Sequence, residues 1–205
     1  IDEIMQYKKE KGLPILQPEY EGKKEVALCK KLKDNKYEDE IMNVFRYVVK
    51  NAKKYQAKNL FPYNIMLIGF MGCGKTTVGE ALARKLNFDL LDVDSYIEDK
   101  AGCSIKQIFA DKGEEYFRQL ETDTLKELYS RLSHTVISTG GGLPMRQANV
   151  DELRRMGRII YLDVKPEEVV RRLAGDTTRP LLQGENVDQR VRKLMGQRGP
   201  VYEAA

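Results

Sequence analysis

The residues best suited to chemistry form a glycine-rich stretch that ends in a lysine and two threonines. Residues 69–77 read GFMGCGKTT and fit the pattern G-x-x-x-x-G-K-[ST] without a mismatch. In such a loop, glycines let backbone N–H groups turn toward a phosphate, and the following helix adds its dipole. Lys75 would reach the β- and γ-phosphates, and the Thr76 hydroxyl would bind Mg²⁺. The pattern predicts that the chain binds a nucleoside triphosphate.

The elements on either side of this loop are those that the motif requires. Residues 65–68 (IMLI) form a short apolar run that is typical of a buried strand, and residues 78–86 have a helical pattern. Because the loop works only between a strand and a helix, this context argues against a chance glycine-rich turn.

Two carboxylates follow a second predicted strand. Asp92 and Asp94 lie where that strand ends, which is the edge at which open α/β sheets bind their ligands. Asp92 is suited to hold Mg²⁺ through water, and Asp94 is suited to hydrogen-bond the hydroxyl of a phosphate acceptor. The alternative interpretation is a capped turn without a ligand.

A helical segment and a triple glycine add two further candidates. Arg118 and Glu121 are three residues apart, so they share a helix face, although such a pair is by itself an ordinary surface salt bridge. Gly140, Gly141 and Gly142 follow a predicted strand and give backbone donors and room for a ligand. A flexible loop is the alternative there, and the position at a strand end favours a ligand.

Arginines near the end of the chain form the last signal. Residues 175–182 (GDTTRPLL) make a polar loop that carries Arg179, and Arg198 follows in the stretch QRGPVY. A polar loop with one arginine suits a mobile lid that brings a cation onto a transferring phosphoryl group.

Predicted strands and helices alternate from Tyr63 onward. The strand candidates are residues 64–69, 90–93, 135–138 and 158–162. Such alternation predicts an α/β fold with a parallel sheet and helices on both faces. Residues 1–58 instead have only helical patterns, with a helix that opens at Pro18 and another from about Ile41 to about Gln56. Residues 59–63 are the predicted linker.

Composition excludes several classes of protein. No run of the 205 residues approaches a membrane span, and the three cysteines are scattered as expected for reduced thiols in a cytoplasmic protein. The net charge of +4 falls on residues 1–60, which carry 14 Lys and Arg against 10 Asp and Glu. Because these charges are not clustered with aromatic residues, neither nucleic acid nor membrane is an expected partner.

Taken together, residues 64–205 resemble a shikimate kinase. The resemblance rests on GFMGCGKTT, LDVD, YFRQLE, the triple glycine, TRPLL and RGPVY, all in the order of that family. It implies a P-loop kinase fold like that of nucleoside monophosphate kinases, and transfer of phosphate from ATP to the 3-hydroxyl of shikimate. The family continues past Tyr202 with a further strand and helix, which this sequence does not include.

The resemblance also implies roles for single residues. Asp94 would orient shikimate and accept the proton, and Arg179 would act from the lid together with Lys75. Arg118 and Arg198 would clamp the shikimate carboxylate, which suits the bidentate geometry of guanidinium groups. Arg172 would stack on adenine, and Thr76 and Asp92 would hold Mg²⁺. The implied ATP-binding residues are Gly72, Cys73, Gly74, Lys75, Thr76, Thr77, Arg172 and Arg179, and those for shikimate are Asp94, Arg118, Gly140, Gly141, Gly142 and Arg198.

Residues 1–58 resemble the latter two-thirds of an all-α chorismate mutase. The matching stretches are YKKEKGLPI, PEYE and FRYVV, and the resemblance places Lys8, Glu21 and Gln56 at active-site positions. Tyr20 and Gln17 depart from the arginine and aspartate expected there. We therefore expect a homodimer built through this segment, with weak or absent conversion of chorismate to prephenate.

Other functions remain open at this stage. Gluconate kinases share the style of the phosphate loop but not the acceptor-side arginine and triple glycine. A nucleotide-gated regulatory module without transfer activity would need no clamp for an acceptor carboxylate. For the helical segment, the alternative is a dimerisation module without chemistry.

Overall fold

The chain divides into two compact units. The computed structural model describes residues 3, 6–7, 10–11, 18–60, 62–174 and 186–205. One unit comprises residues 1–62 with 85–88, and the other comprises residues 63–84 with 89–205. Within the described residues, no helix has both the length and the apolar composition needed to cross a membrane.

The described residues of the first unit include the helices α1 (Pro18–Leu32) and α2 (Glu38–Leu60). Helix α2 begins with Glu38, Asp39 and Glu40, and negative charge in a first turn is favoured by the helix dipole. The buried Met42 of α2 contacts Cys29 of α1, with 3.7 Å between the two sulfur atoms. Helix α2 extends four residues past the predicted end at Gln56 and so includes part of the predicted linker.

One side of α2 carries exposed apolar side chains. Val44 and Val48 are 63% and 57% exposed, and Ile41 is 38% exposed. Phe45, on the same helix, is half-buried. The helical periodicity that the sequence predicted is therefore present, with part of its apolar face uncovered by the described residues.

The second unit is built on a sheet of four parallel strands. These are β1 (Asn64–Ile68), β2 (Asp89–Asp92), β3 (Thr135–Ser138) and β4 (Gly157–Tyr161), in the spatial order β2-β3-β1-β4. Strand β1 is buried along its whole length, because it lies between two strands and beneath helices on both faces. The predicted parallel sheet is confirmed, with each strand boundary within one residue of the prediction.

Six helices accompany the sheet within the described residues of this unit. They are α3 (Lys75–Leu86), α4 (Val93–Ala101), α5 (Ile105–Tyr129), α6 (Gln147–Met156), α7 (Pro166–Leu173) and α8 (Val187–Ala204), with a 3₁₀ turn at Leu143–Met145. Helix α5 is not continuous, since Gly113 has φ 82° and ψ 170°, outside the helical region. This break within α5 lies just over one turn before Arg118.

Buried polar side chains tie the ends of these elements together. Asn64 donates from Nδ2 to the carbonyls of Leu132 and Met156, and its Oδ1 accepts from the N–H of Thr135. Asn149 of α6 donates to the carbonyl of Leu143 and accepts from the Thr122 hydroxyl of α5. Because unpaired polar groups are costly in a core, these bonds specify how α5, α6 and the loop after β3 meet.

Candidate functional site

A cleft of about 690 Å³ opens where strands β1, β2 and β3 end. This is the edge of a parallel sheet at which ligands bind. The cleft brings together predicted residues from the phosphate loop, β2, the triple glycine and α7. Its lining comprises Met71, Gly72, Cys73, Gly74, Lys75, Thr76, Thr77, Val78, Asp92, Asp94, Ser138, Thr139, Gly141, Arg172 and Leu173.

The phosphate loop lies between β1 and α3, as the sequence predicts. Gly72 and Gly74 have φ values of 75° and 100°, which glycine adopts far more readily than other residues. Helix α3 begins at Lys75 directly after the loop, so its unpaired N–H groups and its dipole meet at the cleft. A turn of this conformation at a helix N-terminus fits a phosphate group.

The ammonium group of Lys75 contacts the start of the loop. Its Nζ lies 2.9 Å from the carbonyl oxygen of Gly69, 3.0 Å from that of Phe70 and 3.6 Å from the sulfur of Cys73. Cys73 is only 8% exposed, so its side chain mainly fills space beneath the loop. The positive charge of Lys75 is therefore held at the same loop as the phosphate-binding backbone.

Thr76 and Asp92 line the cleft on the side expected for a metal ion. Asp92 also caps α4, because one carboxylate oxygen accepts from the N–H of Ser95 at 3.2 Å. In the part of the chain that the structure describes, no three His, Cys, Asp or Glu side chains are grouped closely enough to hold a metal. Mg²⁺ commonly uses one or two carboxylates together with substrate phosphates and water, so this sparse set of oxygen donors fits Mg²⁺ shared with a nucleotide.

Two carboxylates meet at the Cα atom of Gly140. A methyl group on Gly140 would lie 2.6 Å from Oδ1 of Asp94 and 2.9 Å from Oε1 of Glu121. The absence of a side chain thus leaves space for both acids beside the glycine loop. Asp94 lines the cleft, whereas the side chain of Glu121 is fully buried behind it.

Glu121 is held by Arg118, which also binds a second acid. The Arg118 guanidinium donates to Glu121 and to Glu114, each at 2.8 Å, and its side chain is 13% exposed. Burial raises the pKa of Glu121 to about 7, although the charge of Arg118 opposes the shift, and nearby Asp94 raises the pKa further. The pair is therefore a buried part of the site, and the interpretation as an ordinary surface salt bridge is wrong.

The side chain of Arg118 also explains why residue 142 is a glycine. A methyl group on Gly142 would lie within 2.5 Å of the guanidinium carbon of Arg118. Gly141 packs instead against the phosphate loop, because its added methyl group would lie 3.3 Å from the N atom of Met71. The triple glycine thus brings Asp94 of α4 and Arg118 of α5, both predicted to bind the acceptor, close to the phosphate loop.

Helix α8 contributes Arg198 and Tyr202. The Arg198 guanidinium lies over the ring of Phe70 at 6.0 Å from its centroid, and Phe70 belongs to the phosphate loop. Tyr202 is 2% exposed and donates its hydroxyl to the carbonyl of Gly141 at 2.5 Å. Sequence reasoning assigned no role to Tyr202 or to Glu121, although both stand inside motifs that it singled out.

Arg172 of α7 lines the cleft. It donates from Nη1 to the carbonyl of Gly72 at 3.0 Å and from Nε to Glu168 at 2.6 Å. Hydrogen bonds from Arg171 and then Arg172 lower the pKa of Glu168 to about 2. These contacts place Arg172 beside the phosphate loop, and its stacking on adenine stays a prediction.

Several predicted site residues lie outside the described part of the chain. Arg179 falls in residues 175–185, Lys8 and Gln17 fall near the start, and the side chains of Tyr20 and Glu21 are not described. Gln56 is described and is half-buried on α2. The lid and the possible mutase site therefore remain predictions.

Comparisons with known proteins agree on one family. The model of the shikimate kinase family matches residues 71–205. The chain is 44% identical over 142 residues to shikimate kinase from Caldanaerobacter subterraneus, which covers 69% of this chain and 82% of that protein. It is 46% identical to shikimate kinase from Microcystis aeruginosa, over 69% of this chain and 74% of that protein.

Solved structures give the same result. Shikimate kinase from Acinetobacter baumannii in complex with shikimate has a TM-score of 0.67 and 44% sequence identity, over 69% of this chain and 79% of that one. Shikimate kinase from Aquifex aeolicus has a TM-score of 0.61 and 39% identity, over 69% and 83%. The predicted P-loop kinase fold is thereby confirmed.

Proposed function

Because the chain belongs to the shikimate kinase family, we propose that it transfers a phosphoryl group from ATP to the 3-hydroxyl of shikimate. The protein is a kinase that uses ATP with Mg²⁺. One observation carries the proposal, namely that Asp94 and Arg118 lie against the same glycine loop, next to a phosphate loop.

On the nucleotide side, the proposed functional groups are the backbone of residues 72–74, the ammonium of Lys75 and the hydroxyl of Thr76. Thr76 and Asp92 would hold Mg²⁺, which neutralises charge on phosphate oxygens when it is bound. Cys73 and Thr77 would contribute backbone N–H groups at the loop and at the first turn of α3. Arg172 borders this side, and Arg179 is proposed to act from residues 175–185.

On the acceptor side, Asp94 is proposed to hydrogen-bond the attacking hydroxyl and to take its proton. Arg118 and Arg198 would bind the carboxylate of the acceptor, and the backbone of Gly140, Gly141 and Gly142 would line its ring. Arg118 is already oriented by Glu114 and Glu121, so little side-chain freedom is lost when it binds a ligand. Phosphoryl transfer depends mainly on such positioning and on charge stabilisation.

The test is release of ADP by the purified protein, with and without shikimate, in the presence of Mg²⁺. We expect turnover that requires shikimate, and we expect Asp94→Asn to lower kcat at least about a hundredfold with little change in the KM for ATP. Turnover with gluconate instead of shikimate would identify a different small-molecule kinase. ATP binding without turnover on either acceptor would favour a nucleotide-gated regulatory module.

A second proposal concerns the helical unit, which we infer to be a dimerisation element with poor or no mutase activity. It is supported by the exposed Val44 and Val48 on α2 and by the uncovered apolar face that they form. The substitution of Tyr20 for an expected arginine removes a bidentate contact to a substrate carboxylate, which costs roughly 2–5 kcal/mol. Conversion of chorismate to prephenate is therefore expected to be slow.

Light scattering and chorismate consumption test this second proposal on the intact protein. A dimeric mass that becomes monomeric in Val44→Lys would support the dimer, and Lys50→Glu on the same helix is a charge-changing control. A monomer would contradict the dimer, and chorismate turnover at a rate typical of enzymes would contradict the weak mutase. We also propose a cytoplasmic location, supported by the three free cysteines and testable by cell fractionation.

A further inference from the structure

The buried hydroxyl of Tyr202 joins two parts of the acceptor side that come from distant parts of the chain. Tyr202 lies on α8, one turn after Arg198, and donates its hydroxyl to the carbonyl of Gly141 in the loop after β3. Its ring stacks on Tyr161 of β4, with 5.4 Å between centroids and 29° between planes. The ring is thus fixed by packing, and the position of its hydroxyl is fixed with it.

The hydrogen-bonding capacity of a phenol determines what else this hydroxyl can do. A tyrosine hydroxyl has one proton to donate and oxygen lone pairs that accept. Since the proton is given to Gly141, any further bond at the oxygen must come from a donor. Arg198 stands four residues before Tyr202 on the same helix, so the two side chains share a helix face. Burial raises the pKa of Tyr202 to about 12, although the charge of Arg198 and a side-chain hydrogen bond with it oppose the shift.

The same arrangement reaches the phosphate loop. Gly141 packs on that loop beside Met71 and Gly69, and Arg198 lies over the ring of Phe70 in the same loop. The charge of Arg118 also acts on the Tyr202 phenol. The positive charges of both arginines proposed for the acceptor carboxylate thus act on one buried hydroxyl, which is itself bonded to the glycine loop.

We propose that Tyr202 is a positioning residue that fixes the Arg198 guanidinium relative to the glycine loop and thereby sets the affinity for the acceptor carboxylate. This inference rests on the proposed function, because it assigns the carboxylate of shikimate to Arg198. Tyr202 does not touch the acceptor and acts through Arg198 and Gly141. A bidentate contact between guanidinium and carboxylate needs a defined orientation, so loss of this support weakens binding without removing a reacting group.

Tyr202→Phe is the direct test, because it removes one oxygen atom and keeps the stacked ring. We expect the KM for shikimate to rise roughly tenfold, the effect of losing about 1.4 kcal/mol of binding free energy. The KM for ATP should stay within about twofold, since the phosphate loop itself is unchanged. Tyr161→Phe is the matched control, because it removes the hydroxyl of the other ring in the stack, which bonds Asp163 outside the cleft.

A double-mutant cycle shows whether Tyr202 acts through Arg198. If it does, Arg198→Ala and the double variant Tyr202→Phe with Arg198→Ala have the same KM for shikimate, because the orienting bond has nothing left to orient. Additive effects in the double variant would overturn the inference. So would equal changes in the KM values for ATP and shikimate, or a change in Tyr161→Phe as large as that in Tyr202→Phe.

Measurements on the native protein distinguish a failure of this inference from a failure of the proposed function. Absence of shikimate-dependent turnover in the native protein contradicts the proposed function, whereas a Tyr202→Phe variant that behaves as native contradicts only the role of Tyr202. If Tyr202→Phe does not fold, the alternative test is to follow the NMR resonance of the Tyr202 hydroxyl proton in the native protein. We expect a solvent-protected hydroxyl resonance that shifts when shikimate is added and shifts less with ADP. A resonance that shikimate leaves unchanged would overturn the inference.

Discussion

Gly142 is the residue of the triple glycine that lies closest to the side chain of Arg118. It has φ −93° and ψ −14°, which any amino acid adopts, so the need for glycine there comes from Arg118 and not from the backbone. The obstructing group is the end of a long side chain, which moves more easily than a backbone does. A larger residue at 142 should therefore displace Arg118.

Gly142→Ala is predicted to impair acceptor binding. We expect the KM for shikimate to rise about tenfold or more. The free energy of unfolding should fall by about 1–3 kcal/mol, because a displaced guanidinium leaves the buried Glu121 without its hydrogen-bond partner. Steady-state kinetics and urea unfolding measure the two quantities. Gly196→Ala is the control, since an added methyl group there meets no atom within 4 Å of the described chain. An unchanged KM for shikimate in Gly142→Ala would contradict this explanation.

Glu121 gives the stability of the protein a defined pH dependence. Its pKa is about 7 in the folded protein and 4.5 without the fold, so between these values the folded state holds a proton that the unfolded state has released. Burial favours the neutral form of Glu121. The contribution of this group to the free energy of unfolding is therefore complete below pH 4.5 and is lost as the pH rises through about 7. The free energy of unfolding should fall by up to about 1.4 kcal/mol per pH unit in this window.

The variant Glu121→Gln should remove this contribution, because an amide does not titrate. Urea unfolding of the native protein and the variant at several pH values from about 4 to 8 measures this contribution. It is the pH-dependent part of the difference between their free energies of unfolding. The native protein should lose stability relative to the variant as pH rises. A constant difference would show that Glu121 stays ionised beside Arg118 throughout.

Sequence reasoning named most of the residues that line the cleft, since phosphate loops and strand-end carboxylates have local patterns. It did not find the importance of Glu121, because a pair three residues apart looks the same on a surface as in a core. Burial of that pair depends on Asp94 and Gly140, which are brought in by other elements. Tyr202 was missed for the same reason, since its partner Gly141 is 61 residues away.

At the scale of elements, strands were predicted to within a residue, because short apolar runs between turns are distinctive in a buried parallel sheet. The order of the strands within the sheet could not be predicted from such local patterns. The position of β1 between β3 and β4 is decided by packing between distant segments and has no local signal. The end of α2 was also missed, because no glycine or proline marks it before residue 62.

Gly113 is the element-scale feature with the sharpest test. Its φ of 82° and ψ of 170° lie in a region almost restricted to glycine, and open space surrounds its Cα atom. Gly113→Ala should therefore destabilise the protein by about 1–3 kcal/mol through the backbone alone. Gly22→Ala, in a helix with equally open space, should instead stabilise it by about 0.5–1 kcal/mol. Thermal or urea unfolding compares the two, and equal effects would contradict the assigned role of Gly113.

At the scale of the whole molecule, the kinase unit has its own hydrophobic core. The buried cluster around the sheet extends from Met66 to Tyr202, with half-buried neighbours as far as Ala205. A protein reduced to residues 63–205 is therefore expected to fold and to keep its kcat with shikimate within about threefold. Circular dichroism and the ADP-release assay measure this. An aggregated or inactive fragment would show that the kinase depends on residues 1–62.

The position of β1 also determines when activity can appear as the chain folds. Leu67 of β1 pairs with Ser138 of β3 and Ile160 of β4, so both neighbours of this strand are supplied by segments far along the chain. Forming these pairs requires closure of long loops, which slows folding. The phosphate loop follows β1 and the triple glycine follows β3, so neither half of the cleft faces the other until that pairing is made. Recovery of kinase activity during refolding should therefore report completion of the sheet and should lag behind the recovery of helical signal.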